Sequence, residues 1–187
     1  MTGNARRELT ALLNETFTPA MVESIRSALP EFPEALVDEC FRRSGVVCNE
    51  ETPREFSKFL AVLSVLAGGN LQGKTLLDVG TGLGVLVAQA RTIGMVPTGS
   101  DTFTEYEGTC RAGAICIFEA YGHSRSSAEE ACTHHDITVA AAPGRYDFVT
   151  SIGMMEHIFG EEARRSAIRN MVLSLAPGGT LIVACGP

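Results

Sequence analysis

Residues Leu76 to Leu86 read LLDVGTGLGVL, and the fold follows from how that stretch is read. Two leucines lead into Asp78 and Val79. Three glycines follow at alternate positions, Gly80, Gly82 and Gly84, and apolar residues resume at Val85. This order describes a short buried strand, a tight turn and a helix. Glycine lets the turn adopt left-handed conformations and approach a ligand with no Cβ in the way. The helix that follows offers N–H groups outside its own ladder, which favours an anion.

Working outward, the chain changes character near residue 72. Before it the signals are helical. Thr18 and Pro19 suit a helix start, followed by Met21, Val22, Ile25 and Leu29 at helical spacing and closed by Pro30. Pro33 opens a second segment with Leu36, Val37, Cys40 and Phe41 on one face and Gly45 as its stop. Thr52-Pro53-Arg54-Glu55 reads as a capping box opening a helix through Phe56, Phe59, Leu60, Leu63 and Leu66. Residues 1–70 are therefore expected to form a helical cap or substrate lid, and 71–187 a second unit.

In that second unit strands and helices alternate. Strands are expected at Thr75–Val79, Met95–Ser100, just before Asp136, Tyr146–Ser151 and Thr180–Ala184. Helices are expected at Gly84–Ile93, Phe103–Tyr121, Ser126–Cys132 and Glu161–Leu175. Pro97 is an unusual residue for its strand, and Pro177-Gly178-Gly179 reads as the turn into the last one. Alternation of this kind implies an α/β, Rossmann-like, doubly wound sheet of about five parallel strands, with helices on both faces. Right-handed crossovers then gather the ligand-facing strand ends on one edge.

The glycines discriminate between ligands. A dinucleotide fingerprint is GxGxxG, but here the spacing is GxGxG and the position of the third dinucleotide glycine is Val85. Asp78 stands at the end of the strand, expected to face the ligand edge. A carboxylate there repels a pyrophosphate and suits an ammonium. An ammonium beside a carboxylate is an amino acid, which is the methionine end of S-adenosylmethionine (SAM).

At this point the chain resembles the class I SAM-dependent methyltransferases, over about residues 75–184. DVGTGLG, Asp78 to Gly84, matches that family's D/E-x-G-x-G-x-G motif in full. In VPTGSD, Asp101 falls where the family places the acid that binds the ribose hydroxyls. In HHDI, Asp136 matches the acid that reads the adenine amino group. RYDFVTSIGMMEHI and LAPGGTLIV look like the fourth strand and the turn into the fifth. The resemblance implies SAM as cofactor, held by Asp78, Gly80, Thr81, Gly82, Gly84, Asp101, Thr102, Asp136, Ile137 and Ser151. It also implies methyl transfer to an O, N or C nucleophile of a small molecule. His157, in MMEHI, is the candidate general base; a histidine held by local hydrogen bonds at a helix start is the other reading. Asp147 begins a strand away from the ligand edge and is read as structural. The family's sheet normally has sixth and seventh strands beyond Pro187. Their absence makes the fifth strand an exposed edge, expected to be covered by a partner or second protomer unless the chain is a fragment.

Composition narrows the remaining classes. The chain has 187 residues, 45% apolar and 20% charged, with a net charge of −7. No long Lys/Arg cluster appears, which disfavours nucleic acid or an anionic membrane as partner. The six cysteines, at 40, 48, 110, 116, 132 and 185, include no CxxC pair, so reduced thiols and no zinc site are expected. His134 and His135 are adjacent and would point to opposite faces of a strand, so no metal site is read there. MTGNARRELT is polar and unlike a signal peptide, and Phe59–Gly69 is too short an apolar run to cross a bilayer. A cytoplasmic protein is expected. No NPPY-type tetrapeptide follows the fourth strand; Ser151-Ile152-Gly153-Met154 stands there, which points to a small-molecule acceptor. A non-catalytic methyltransferase-like scaffold and an NAD- or nucleotide-binding enzyme remain the alternatives.

Overall fold

The computed structural model describes residues 52–102 and 107–185; the helices expected around Thr18–Leu29 and Pro33–Phe41 lie outside them. In chain order the elements are α1 (Thr52–Leu66), β1 (Thr75–Val79), α2 (Val85–Thr92), β2 (Val96–Asp101), α3 (Glu107–Ala120), α4 (Arg125–Ala131), β3 (Cys132–His134), β4 (Tyr146–Ile152), a 3-10 turn (Met155–His157), α5 (Glu161–Leu173) and β5 (Leu175–Ala184). The strands form one sheet in the order β3-β2-β1-β4-β5, and every adjacent pair is parallel. The winding direction reverses between β1 and β4. In such sheets the crevice for a ligand opens at that reversal, beyond the strands' C-terminal ends.

Two-residue periodicity divides the sheet's side chains between two cores. Leu76 and Phe148, paired in register, pack with Leu60 and Leu63 of α1 and with Leu86 and Ala90 of α2. Their neighbours Leu77 and Val149 face the other way, onto Ala167 and Met171 of α5. Each leucine here is completely buried, worth roughly 1.5–3 kcal/mol of hydrophobic stabilisation per side chain. A third core joins Val85, Val87 and Ala88 of α2 to Ile117 and Phe118 of α3 and Ala128 of α4. Residues 85–90 of α2 are therefore buried all round, and the helix is held rigidly where its N-terminus meets the sheet edge.

Two irregularities have local causes. Val96 N–H donates to Lys74 O at 2.8 Å, so the next residue, Pro97, turns its nitrogen to the opposite edge of β2. There β3 pairs only from Gly99 onward, and no ladder bond is lost to the proline. The fifth strand starts at Leu175, earlier than Thr180. Leu175 pairs with Tyr146 and Thr180 with Phe148, so Ala176 to Gly179 form a bulge, turned by Gly178 at φ 78°. The Pro177-Gly178-Gly179 turn is thus an excursion within β5.

At the opposite end from the crevice, Asp147 ties β4 to β1. Its Oδ2 accepts from Thr75 N–H and Thr75 Oγ1–H, both at 2.9 Å, and Oδ1 accepts from Lys74 Nζ at 3.3 Å. Those donors, the Thr75 backbone first, hold its carboxyl below the usual carboxylate range. Asp147 is a structural clamp.

Candidate functional site

The crevice is built outward from the end of β1. Gly80 and Thr81 N–H both donate to Ser100 O, at 2.8 and 3.1 Å, so the turn hangs from β2. Gly80, Gly82 and Gly84 have φ of 75°, 52° and 69°, the left-handed region that other residues enter at a cost. Packing adds a second demand at Gly80, where a Cβ would stand 2.2 Å from Met154 Cγ and 2.5 Å from Met154 Cβ. At Gly82 a Cβ would meet nothing within 4 Å, so that backbone borders open space. Gly84 precedes α2 without a side-chain cap, leaving the first-turn N–H groups on the crevice side of the helix.

Asp101 ends β2 and its Oδ2 accepts Gly82 N–H at 3.0 Å. One carboxylate oxygen thereby fixes the middle of the glycine turn, with Thr102 immediately after it. Asp78 is more enclosed than a residue open on the ligand edge, with 4% of its surface exposed. Thr150 Oγ1–H donates to its Oδ1 at 2.8 Å. Burial pushes the Asp78 carboxyl up to about 6, against the opposing effects of Thr150 and then Thr81, and the like charge of Asp101 pushes the same way as burial. Among the described residues, no cation offsets this carboxylate.

Two more hydroxyls, Ser100 Oγ and Ser151 Oγ, are buried around the same strand ends with no hydrogen-bond partner among the described residues. Ser100 and Ser151 both stand in register with Val79, one on each side, and so share its face of the sheet. Thr81 lies over Gly99, where an added Cβ would come within 2.7 Å of Thr81 Oγ1. Orphaned buried hydroxyls are uncommon, and two beside one crevice, with Thr81 next to them, form a ready set of polar contacts.

The loops after β3 and β4 complete the surroundings. Asp136 Oδ1 accepts from Thr138 N–H at 2.8 Å and Thr138 Oγ1–H at 2.6 Å, an Asx turn that leaves the carboxyl partly exposed. Ile137 is buried with Val79 and Met155, and its carbonyl accepts from Asn170 Nδ2 of α5 at 2.8 Å. Met154 packs over Gly80. His157 is exposed on the 3-10 turn, its N–H donating to Met154 O at 2.9 Å, while its ring makes no hydrogen bond with a described residue. His135 Nε2 instead meets Ala140 O at 3.0 Å. No three His, Cys, Asp or Glu side chains cluster for a metal among the described residues.

Contacts thus join Asp78, the glycine turn and Asp101 directly. Asp136, Ile137, Ser151 and His157 stand around that trio on the loops and strand end that meet α5. Reading the sequence alone passes over Ser100 and Thr150. Thr150 carried one available signal: it precedes Ser151 on a strand, so it must face the opposite side of the sheet.

A family described as a methyltransferase domain matches residues 49–184. The ubiquinone biosynthesis O-methyltransferase of Paraburkholderia xenovorans (strain LB400) is 31% identical over 113 residues, 60% of this chain and 44% of that protein. The protein of the same name from Shewanella halifaxensis (strain HAW-EB4) is 32% identical over 120 residues, 64% of this chain and 46% of that one. The chain spans less than half the length of these curated relatives. Among solved structures, YjhP from E. coli superposes with a TM-score of 0.55 at 23% identity, covering 77% of this chain and 54% of that one. A SAM-bound amino pentose methyltransferase from Micromonospora echinaspora gives 0.53 at 18%, covering 81% and 56%. At these identities the structural likeness shows the fold.

Proposed function

Because the chain belongs to the methyltransferase domain family, we propose that it acts as a SAM-dependent methyltransferase on a small-molecule acceptor. The observation that carries this reading is Asp78: a buried carboxylate under three left-handed glycines, with its carboxyl raised to about 6 and no cation beside it among the described residues. A site so arranged gains most from a ligand that brings a positive charge. The open backbone at Gly82 and the orphaned hydroxyls of Ser100 and Ser151 fit the rest of SAM's polar outline. When bound, SAM supplies a methyl group on an electron-poor sulfonium.

The chain's own residues then have separable roles. Asp78 holds the ammonium, and the N-terminus of α2 faces the carboxylate. Asp101, with Thr102, binds the ribose. Asp136 and Ile137 border the adenine, and Ser151 lines the adenosine. His157, exposed on the 3-10 turn, takes the proton from an acceptor hydroxyl. The curated relatives are O-methyltransferases by name, which favours an oxygen acceptor. The segment before residue 70 serves as lid, and a second protomer or another partner covers β5, where Val183 is 40% exposed. Cys116 and Cys185 are free thiols, in keeping with a reducing cytoplasm.

Calorimetric titration tests the reading. SAM and S-adenosylhomocysteine are expected to bind and NAD is not. Asp101→Ala should weaken S-adenosylhomocysteine by roughly tenfold to a hundredfold, the range for losing hydrogen bonds to a charged group. A folded chain that ignores both sulfur compounds refutes the proposal.

A further inference from the structure

Thr150 lies inside the sheet, away from every surface, yet it carries a hydroxyl where valine would pack as well. It is completely buried and stands in register with Asp78 across the β1–β4 pair, so both side chains emerge on the same face. Its Oγ1 is 2.8 Å from Asp78 Oδ1 and 3.4 Å from Leu77 O. A hydroxyl has one hydrogen to give, and the shorter contact places it on the carboxylate. Were Asp78 to take up a proton, the pair could reverse: Asp78 would donate to Thr150 Oγ1, and the threonine hydrogen would turn to Leu77 O.

We propose that Thr150 is a positioning residue for the cofactor: its hydroxyl occupies Oδ1 of Asp78, leaves Oδ2 to the ligand's ammonium, and keeps the group ionised when the ammonium arrives. The proposal rests on the reading of the crevice as a SAM site. Few other groups bear on Asp78. Asp101 from β2 is the one charged neighbour acting on it among the described residues, and it opposes ionisation. Thr81, from the turn, favours ionisation less than Thr150 does. No charged side chain of α1, α2 or β4 contributes among the described residues. The task of holding a charged carboxylate in an enclosed position therefore falls mainly on a single hydroxyl.

The test compares two ligands that share the adenosine and the thioether but differ at the amino-acid end. S-adenosylhomocysteine carries the ammonium and 5′-methylthioadenosine lacks it. Both are titrated calorimetrically into the wild type, Thr150→Val and Thr150→Ser between about pH 5 and about pH 8. Thr150→Val keeps the β-branched shape and removes the donor. It should weaken S-adenosylhomocysteine roughly tenfold or more near neutral pH, and move the rise of affinity with pH to higher pH. Binding of 5′-methylthioadenosine should change less than about twofold, because only the ammonium end is affected. Thr150→Ser should restore wild-type behaviour. Equal loss for both ligands, failure of serine to rescue, or an unmoved pH profile would overturn the proposal while leaving the SAM site standing. A wild-type chain that binds neither compound refutes the SAM site itself.

Discussion

At the scale of single residues, Asp78 exchanges stability for affinity. Its carboxyl is raised from 3.8 to about 6 in the folded chain, so between those values the folded state binds the extra proton. Stability contributed by this residue is greatest below about pH 4, falls as pH rises to about 6, and is level above. Asp78→Asn keeps an acceptor for Thr150 and removes the buried charge. It should stabilise the ligand-free chain near pH 7 by on the order of 1–3 kcal/mol and give no gain near pH 4. Thermal unfolding at the two pH values checks this, and the same variant should lose S-adenosylhomocysteine binding. The sequence showed Asp78 as an acid before a glycine turn, because residue type and order suffice for that. Its enclosure and its bond to Thr150 depend on the register of two strands far apart in the chain, which no local pattern encodes.

At the scale of elements, the glycine turn separates two requirements that the motif GxGxG merges. Gly82 is needed for its backbone angle alone, and Gly80 also for the space taken by Met154. Gly82→Ala should cost about 1–2 kcal/mol, the usual penalty for a left-handed alanine. Gly80→Ala should cost about 3 kcal/mol or more, because overpacking is added to that penalty. Met154 Cβ is itself too close, so no rotamer change relieves the clash. Denaturant titration of both variants measures the difference. The elements of the second unit were readable for the same local reasons: β1 and α2 follow from apolar periodicity and glycine punctuation. The early start of β5 was hidden because Pro177-Gly178-Gly179 has the composition of a turn, and only pairing with Tyr146 shows that the strand resumes across it.

At the scale of the whole molecule, sheet order decides what the chain must do before it has a site. The five-strand parallel architecture was legible from alternation. The order β3-β2-β1-β4-β5 sets β4 beside β1 while α2, β2, α3, α4 and β3 lie between them in sequence. Asp78 meets Thr150 at one end of that pair and Thr75 meets Asp147 at the other. Neither meeting occurs until a long loop has closed, and such non-local closure is the slow part of folding. The crevice is therefore expected to form late in folding. Saturating S-adenosylhomocysteine in stopped-flow experiments should slow unfolding and leave the refolding rate nearly unchanged, because the bound surface is not yet assembled at the barrier. For a ribosome-bound chain, the ligand can guard the finished sheet but has nothing to grip while the sheet is being made.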